Sequence, residues 1–311
     1  MPSSFVNFDH ARRSKLALWV LLATALLSPQ AARSQDKIMT WGGNAPDWDS
    51  KLHVSAIRVG CSSVPQSCFR DSDSYASQNH VKLIFLSILL KPSQTLTYVT
   101  QYAALGPSHP EVIEVGFDDF VSQASKLGMD PTSLNSYLLQ IIRATKQGGS
   151  RLKFGCTIYE NELGSQLSQL GLSSDFYSQV DFVHLYPHYR HTAEPFANYV
   201  QQAKSLFPNA QIIAGVYAYD RRDYLPCSKA SNEHCSNQEE LSLFKGMFQQ
   251  EVSLLRSGQV SWLEFFPGSF GLEESWKNWD EPRICSASRR QECVDNTKAM
   301  RQAVLQILGN R

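Results

Sequence analysis

An excess of charge of either sign is missing from this chain. Its 29 Lys and Arg residues balance 29 Asp and Glu, and charged residues make up only 19% of the 311. A nucleic-acid or membrane-surface partner calls for a basic patch, which this balance gives no reason to expect. A phosphate-binding glycine fingerprint is also missing, as are a nucleophile-elbow serine and cysteines at zinc-ligand spacing. No cofactor and no metal are therefore expected. No Pro-rich or Ser-rich linker divides the middle of the chain, which argues for one domain.

The N-terminus reads as a targeting segment. Arg12, Arg13 and Lys15 precede an apolar run from Leu16 to Leu27, and the small residues Ala31, Ala32 and Ser34 follow. This is the pattern of a secretory signal peptide, cleaved after Ser34 with Ala32 at the −3 position. The run is short for a bilayer span, so no stable membrane insertion is expected after cleavage. Residues 1–34 are thus read as the signal peptide and 35–311 as a single domain, secreted or periplasmic.

Export gives the seven cysteines a meaning. Six fall in neighbouring pairs, Cys61/Cys68, Cys227/Cys235 and Cys285/Cys293, each closing a polar, loop-like segment. In an oxidising compartment they read as local disulfides that staple loops. Cys156 lies inside an apolar strand and reads as a buried free thiol.

Eight strand-like runs can be counted: Lys37 to Trp41, Ser55 to Gly60, Val81 to Leu89, Val112 to Phe117, Leu152 to Tyr159, Phe182 to Tyr186, Ala210 to Tyr219 and Val260 to Phe266. Helical patterns lie between several of them, over Leu134 to Lys146, Pro195 to Phe207 and Glu239 to Ser257. Alternating strands and helices at this length predict an α/β fold, a (β/α)8 TIM-type barrel with disulfide-stapled loops. The weak helical signal in the first units leaves an irregular barrel open.

The two-residue period of a strand then assigns faces. On the fourth strand Ile113, Val115 and Phe117 should face the helices, and Glu114, Gly116 and Asp118 the barrel axis. By the same parity Thr157, Tyr159, His184, Tyr186, Trp262, Glu264 and Phe266 face inward. Arg58 is an internal partner for Glu114. Asp118 and Asp119 end an apolar strand at the barrel end where such folds place their chemistry. Adjacent carboxyls also split their pKa values, so that one can hold a proton while the other stays ionised. The alternative is that Asp119 caps the following helix and Asp118 is ion-paired.

Acids beside aromatic residues recur at the other strand ends. The expected catalytic group is Asp118, Asp119 and Glu160. The expected carbohydrate-binding group is Trp41, Tyr159, Tyr186, His188, Tyr217, Tyr219, Asp220 and Glu264, because aromatic faces stack on sugars and carboxylates bond hydroxyls. Adjacent carboxylates are too close for an ordinary inverting pair. Either they act together with the substrate as nucleophile, or one works with a carboxylate of another strand.

An apolar fourth strand ending Phe117-Asp118-Asp119, followed by Phe154-Gly155-Cys156-Thr157-Ile158-Tyr159, resembles retaining β-N-acetylglucosaminidases of the O-GlcNAcase type. The resemblance covers some fifty residues of a glycoside-hydrolase-type TIM barrel. It implies that Asp118 orients a substrate 2-acetamido group and that Asp119 is the acid. The later strands depart from that family, lacking its Trp-centred sixth-strand pattern and its Asp-Asn pair on the seventh. The leading expectation is a secreted glycoside hydrolase. Its alternatives are a non-catalytic carbohydrate-binding barrel and a metal-dependent hydrolase using His184, His188 and His191.

Overall fold

The computed structural model describes residues 37–41, 52–61, 64–78, 81–190, 195–220, 236–266 and 287–309. The expected signal peptide and His191 lie outside them. Eight parallel strands close into a barrel in chain order. They are β1 (Ile38–Trp41), β2 (Ala56–Cys61), β3 (Leu83–Ile88), β4 (Val112–Phe117), β5 (Lys153–Tyr159), β6 (Phe182–Tyr186), β7 (Gln211–Val216) and β8 (Trp262–Phe265). The ring closes through β1 and β8, which pair Ile38 with Leu263 and Thr40 with Phe265. Each strand falls within one of the eight apolar runs, except that β2 continues to Cys61.

The helices used below are α1 (Pro65–Gln78), α2 (Thr95–Leu105), α3 (Phe120–Lys126), α4 (Pro131–Thr145), α5 (Ser165–Gln169), α6 (Ser174–Gln179), α7 (Phe196–Leu206), α8 (Asn237–Arg256) and α9 (Arg290–Gly309). The start of α4 shows how local sequence sets a boundary. Asp130 accepts hydrogen bonds from the backbone N–H groups of Thr132 and Ser133, both at 3.0 Å, and Pro131 occupies the first helical position. Such a cap satisfies donors that no helical carbonyl can reach. Among the described residues no helix is long and apolar enough to cross a membrane.

Two apolar cores follow from strand parity. The outer one lies between sheet and helices and includes Val115, Phe117, Phe154, Cys156, Ile158, Val183, Leu185, Leu263 and Phe265. The inner one, of Met39, Ala56, Phe85, Phe182, Ile213 and Trp262, plugs the barrel floor. Its rings meet edge-on, Phe85 standing 5.4 Å from Phe182 and 6.1 Å from Trp262 between centroids.

One face was expected wrongly. Ile113 packs against the inner core, not toward the helices. The cause is a register shift between β3 and β4: Ile84 pairs with Val112, but Phe85 pairs with Glu114. The extra residue disturbs the alternation there, as in a β-bulge, and the regular pattern resumes at Val115.

Of the expected disulfides, Cys61–Cys68 is present, joining the end of β2 to α1. Cys293 on α9 is also disulfide-bonded. Cys227, Cys235 and Cys285 lie outside the described residues. Cys156 is free and buried, and burial pushes its thiol well above the ordinary value.

Candidate active site

Above the apolar floor lies a layer of buried charge. His184 on β6 sits between two carboxylates: Nδ1 is 2.6 Å from Glu264 Oε2, and Nε2 is 3.0 and 3.1 Å from the two oxygens of Glu114. An imidazole with an acceptor on each side is best served as an imidazolium donating from both nitrogens. Burial and Arg58 oppose that charge, but Glu264 and Glu114 outweigh them and raise the His184 pKa. Burial likewise opposes ionisation of Glu264, yet His184 and Arg58 hold its pKa below the usual carboxylate value.

Arg58 was expected to pair with Glu114. It instead places Nη1 3.6 Å from Glu264 Oε2, with Glu114 contributing a weaker attraction. Its guanidinium lies over the Trp41 ring at 4.6 Å. Its Nε and Nη2 are buried and find no protein partner among the described residues.

Glycine makes room for this layer. Gly116 and Gly155 pair across β4 and β5. A Cβ on Gly155 would lie 2.3 Å from Glu114 Oε1, and one on Gly116 would lie 2.5 Å from the same atom. Gly215 on β7 does the same for Tyr186, whose ring would stand 2.2 Å from an added Cβ.

Asp118 and Asp119 follow directly on β4. Asp118 is half-buried, beside Thr157 and in the field of Arg58. Burial pushes its pKa up against the pull of Arg58, and repulsion from Asp119 and Glu264 adds to the rise. Asp119 is exposed, in left-handed backbone (φ 43°, ψ 48°), and occupies the N-cap position of α3. Its side chain makes no capping hydrogen bond, so the capping alternative fails. Instead Asp119 Oδ1 accepts a 2.8 Å hydrogen bond from the Tyr159 hydroxyl at the end of β5.

Gln123 on α3 holds this turn. Its amide nitrogen donates to the Asp118 carbonyl and its amide oxygen accepts from the Leu90 N–H at 2.6 Å. Its own N–H donates to the Asp119 carbonyl at 2.9 Å. One side chain thereby ties the β4 turn to the end of β3.

Aromatic rings continue round the mouth. Tyr159 lies 6.4 Å from Tyr186 and 5.4 Å from His188, Tyr186 lies 5.1 Å from Tyr217, and Tyr217 lies 5.9 Å from Tyr219. Phe266 joins Tyr217 at 5.8 Å to Trp41 at 6.1 Å. Burial pushes the Tyr159 and Tyr186 hydroxyls far above their ordinary pKa, so both serve as neutral hydrogen-bonding groups.

Three expected acids are committed elsewhere. Glu160 accepts from the backbone N–H groups of His188 and Tyr189, which fixes the loop after β6. Asp220 is fully buried: Oδ2 accepts from Asn296 at 3.0 Å, and its N–H donates to Thr297 Oγ1 at 3.1 Å, both on α9. Glu264 belongs to the buried charge layer and has no exposure. The structure therefore brings Asp118, Asp119, Tyr159, Tyr186, His188, Tyr217 and Trp41 to one mouth, with Tyr219 buried behind Tyr217.

Glu162, one of the acids that follow the fifth apolar run, and Arg190 also shape the mouth. Glu162 closes a capping box by accepting from the Tyr159 N–H at 2.9 Å, and burial pushes its pKa up to about 7. Arg190 donates to the carbonyls of Tyr217 and Tyr219 and pairs with Glu240 on α8 at 3.2 Å. Inward parity on β2 marks Arg58 as interior, and Gln123 stands four residues after Asp119, one helical turn on. No local pattern marks Arg190, whose partners lie about 30 and 50 residues away.

No protein-family model matches the chain, and no curated protein does either. Solved structures do match. The structural neighbours are glycoside hydrolases. A GH113 β-1,4-mannanase aligns over 89% of this chain and 99% of its own, at 9% identity and TM-score 0.54. The exo-β-1,4-mannosidase Op5Man5 from Opitutaceae bacterium strain TAV5 aligns over 87% of this chain and 60% of its own, at 10% identity and TM-score 0.51. The chain spans only 30% of Bacteroides uniformis β-glucuronidase 2, with 75% of itself aligned, 10% identity and TM-score 0.49. At such identity the first two establish the barrel fold and leave the chemistry to the residues.

Proposed function

We propose that this protein is an exported glycoside hydrolase whose reaction centre is Asp118 and Asp119. The observation that carries the proposal is the split environment of two adjacent carboxyls at a barrel mouth ringed by aromatic residues. Asp118 is half-buried with a raised pKa, which suits it to carry the proton destined for the leaving oxygen. Asp119 accepts from Tyr159, a bond that a carboxylate makes best. This allocation reverses the roles implied by the resemblance to O-GlcNAcase-type enzymes.

The commitment of Glu160, Asp220 and Glu264 bears on the nucleophile. With no uncommitted carboxylate across the mouth among the described residues, a substrate 2-acetamido group is the reading that completes the reaction. Its oxygen bonds to the anomeric carbon as the leaving oxygen departs with the Asp118 proton. Asp119 accepts from the acetamido N–H with the oxygen that Tyr159 leaves open. Asp118, now ionised, then takes a proton from the water that opens the cyclic intermediate.

The same commitment favours one other reading, a carbohydrate-binding barrel without turnover. Hydrolysis of a panel of aryl glycosides, N-acetylhexosaminides included, separates the two. The proposal predicts turnover that falls by about 10²–10⁴ in Asp118→Asn. Unchanged turnover in an Asp118→Asn/Asp119→Asn double variant overturns the site. Calorimetric binding of an oligosaccharide with no turnover establishes the binding barrel.

A further inference from the structure

A second cluster lies at the opposite end of β4 from the carboxylate pair, roughly 20 Å away by the rise of the strand. Asp73 comes from α1, and His109 and Glu111 from the turn that enters β4. His109 Nδ1 is 2.8 Å from Asp73 Oδ2 and 3.3 Å from Glu111 Oε1. One ligand atom from each residue lies within 4.8 Å of the other two, the one such trio among the described residues.

The trio crowds carboxylate acceptors around one imidazole nitrogen. The carboxyls of Asp73 and Glu111 lie against each other, and both face the same imidazole nitrogen. That nitrogen carries at most one hydrogen. Asp73 Oδ1 is also buried without a donor. A cation would take the place of the hydrogen shared between the carboxyls and remove their repulsion.

The positions are held from outside the cluster. The Phe69 ring packs 4.5 Å from the imidazole. The His109 N–H donates to Gly106 O at 3.1 Å, and its carbonyl accepts from the Val112 N–H at 3.0 Å. Around a tetrahedral zinc ion, nitrogen and oxygen ligands stand about 3.4 Å apart. The observed 2.8 and 3.3 Å need only a small spreading of side chains to reach that separation. An imidazole ligand selects against calcium and magnesium, which take oxygen donors. All three side chains are partly exposed, which leaves a way in and room for a water ligand.

We propose that Asp73, His109 and Glu111 bind a divalent transition metal of the zinc class. The ion would pin α1 to the entry of β4. The site stands apart from the barrel mouth and does not depend on the glycosidase reading.

Calorimetric titration of the chelator-treated protein with zinc chloride tests it, with Asp73→Asn and His109→Ala beside the wild type. Asp73→Asn preserves side-chain volume, so one variant should keep its fold. The expected result is one zinc per chain, an affinity at least about tenfold weaker in each variant, and a zinc-induced rise in Tm that only the wild type shows in full. Absence of saturable binding, or the same affinity and Tm rise in both variants, overturns the proposal.

Discussion

Asp119 is the residue on which the candidate site turns. A non-glycine residue in left-handed backbone stores about 1–3 kcal/mol, tolerated where surrounding contacts impose it. Those contacts are Gln123, which grips the peptide on either side, and Tyr159, which takes the carboxylate. Removing the Tyr159 hydroxyl therefore tests whether the bond serves chemistry or stability. Tyr159→Phe is expected to lower kcat about tenfold or more, as loss of a hydrogen bond to a charged group does, with Tm nearly unchanged. A Tm loss without a rate effect would make the bond structural. The sequence marked Asp118 as inward-facing by strand parity. It could not mark the conformation of Asp119, because the turn is imposed by Gln123 and by Leu90 at the end of another strand.

At the scale of elements, β4 and β5 show what parity reveals and what it conceals. The inward Glu114, Gly116, Asp118, Gly155, Thr157 and Tyr159 were legible, since each alternates with an outward apolar residue. The irregularity at Ile113 was not, because Val112 and Ile113 are both apolar and either can fill a core. The purpose of the glycines was also hidden, since it rests on a carboxylate crossing between strands. Gly155→Ala would drive a methyl group into Glu114, and overpacking of this kind costs about 1–3 kcal/mol. Gly246→Ala, on α8 with open space around it, should instead stabilise by about 0.5–1 kcal/mol. Urea denaturation of both variants measures the contrast. Equal effects would show that the Gly155 position is not filled as described.

Across the whole molecule, eight apolar runs and their spacing were enough to predict the barrel, because strand and helix periods are local properties of sequence. The fate of the mouth acids was not local. Asp220 stands at a strand end like a ligand-binding residue, yet α9, some seventy residues later, covers it. Glu160 follows Tyr159 at the end of β5, yet the loop after β6 consumes its carboxylate. Among the described residues only Asp118 and Asp119 remain as a carboxyl pair open to a substrate. If Asp118 is the acid, kcat/KM should fall as pH rises through its elevated pKa, since only the protonated carboxyl can donate. The decisive measurement is that pH–rate profile for the wild type and Asp118→Asn on a hydrolysed glycoside. The account predicts that the variant loses most of the rate and that its remaining activity no longer falls over that range. A variant that keeps both the rate and the pH-dependent fall would contradict it.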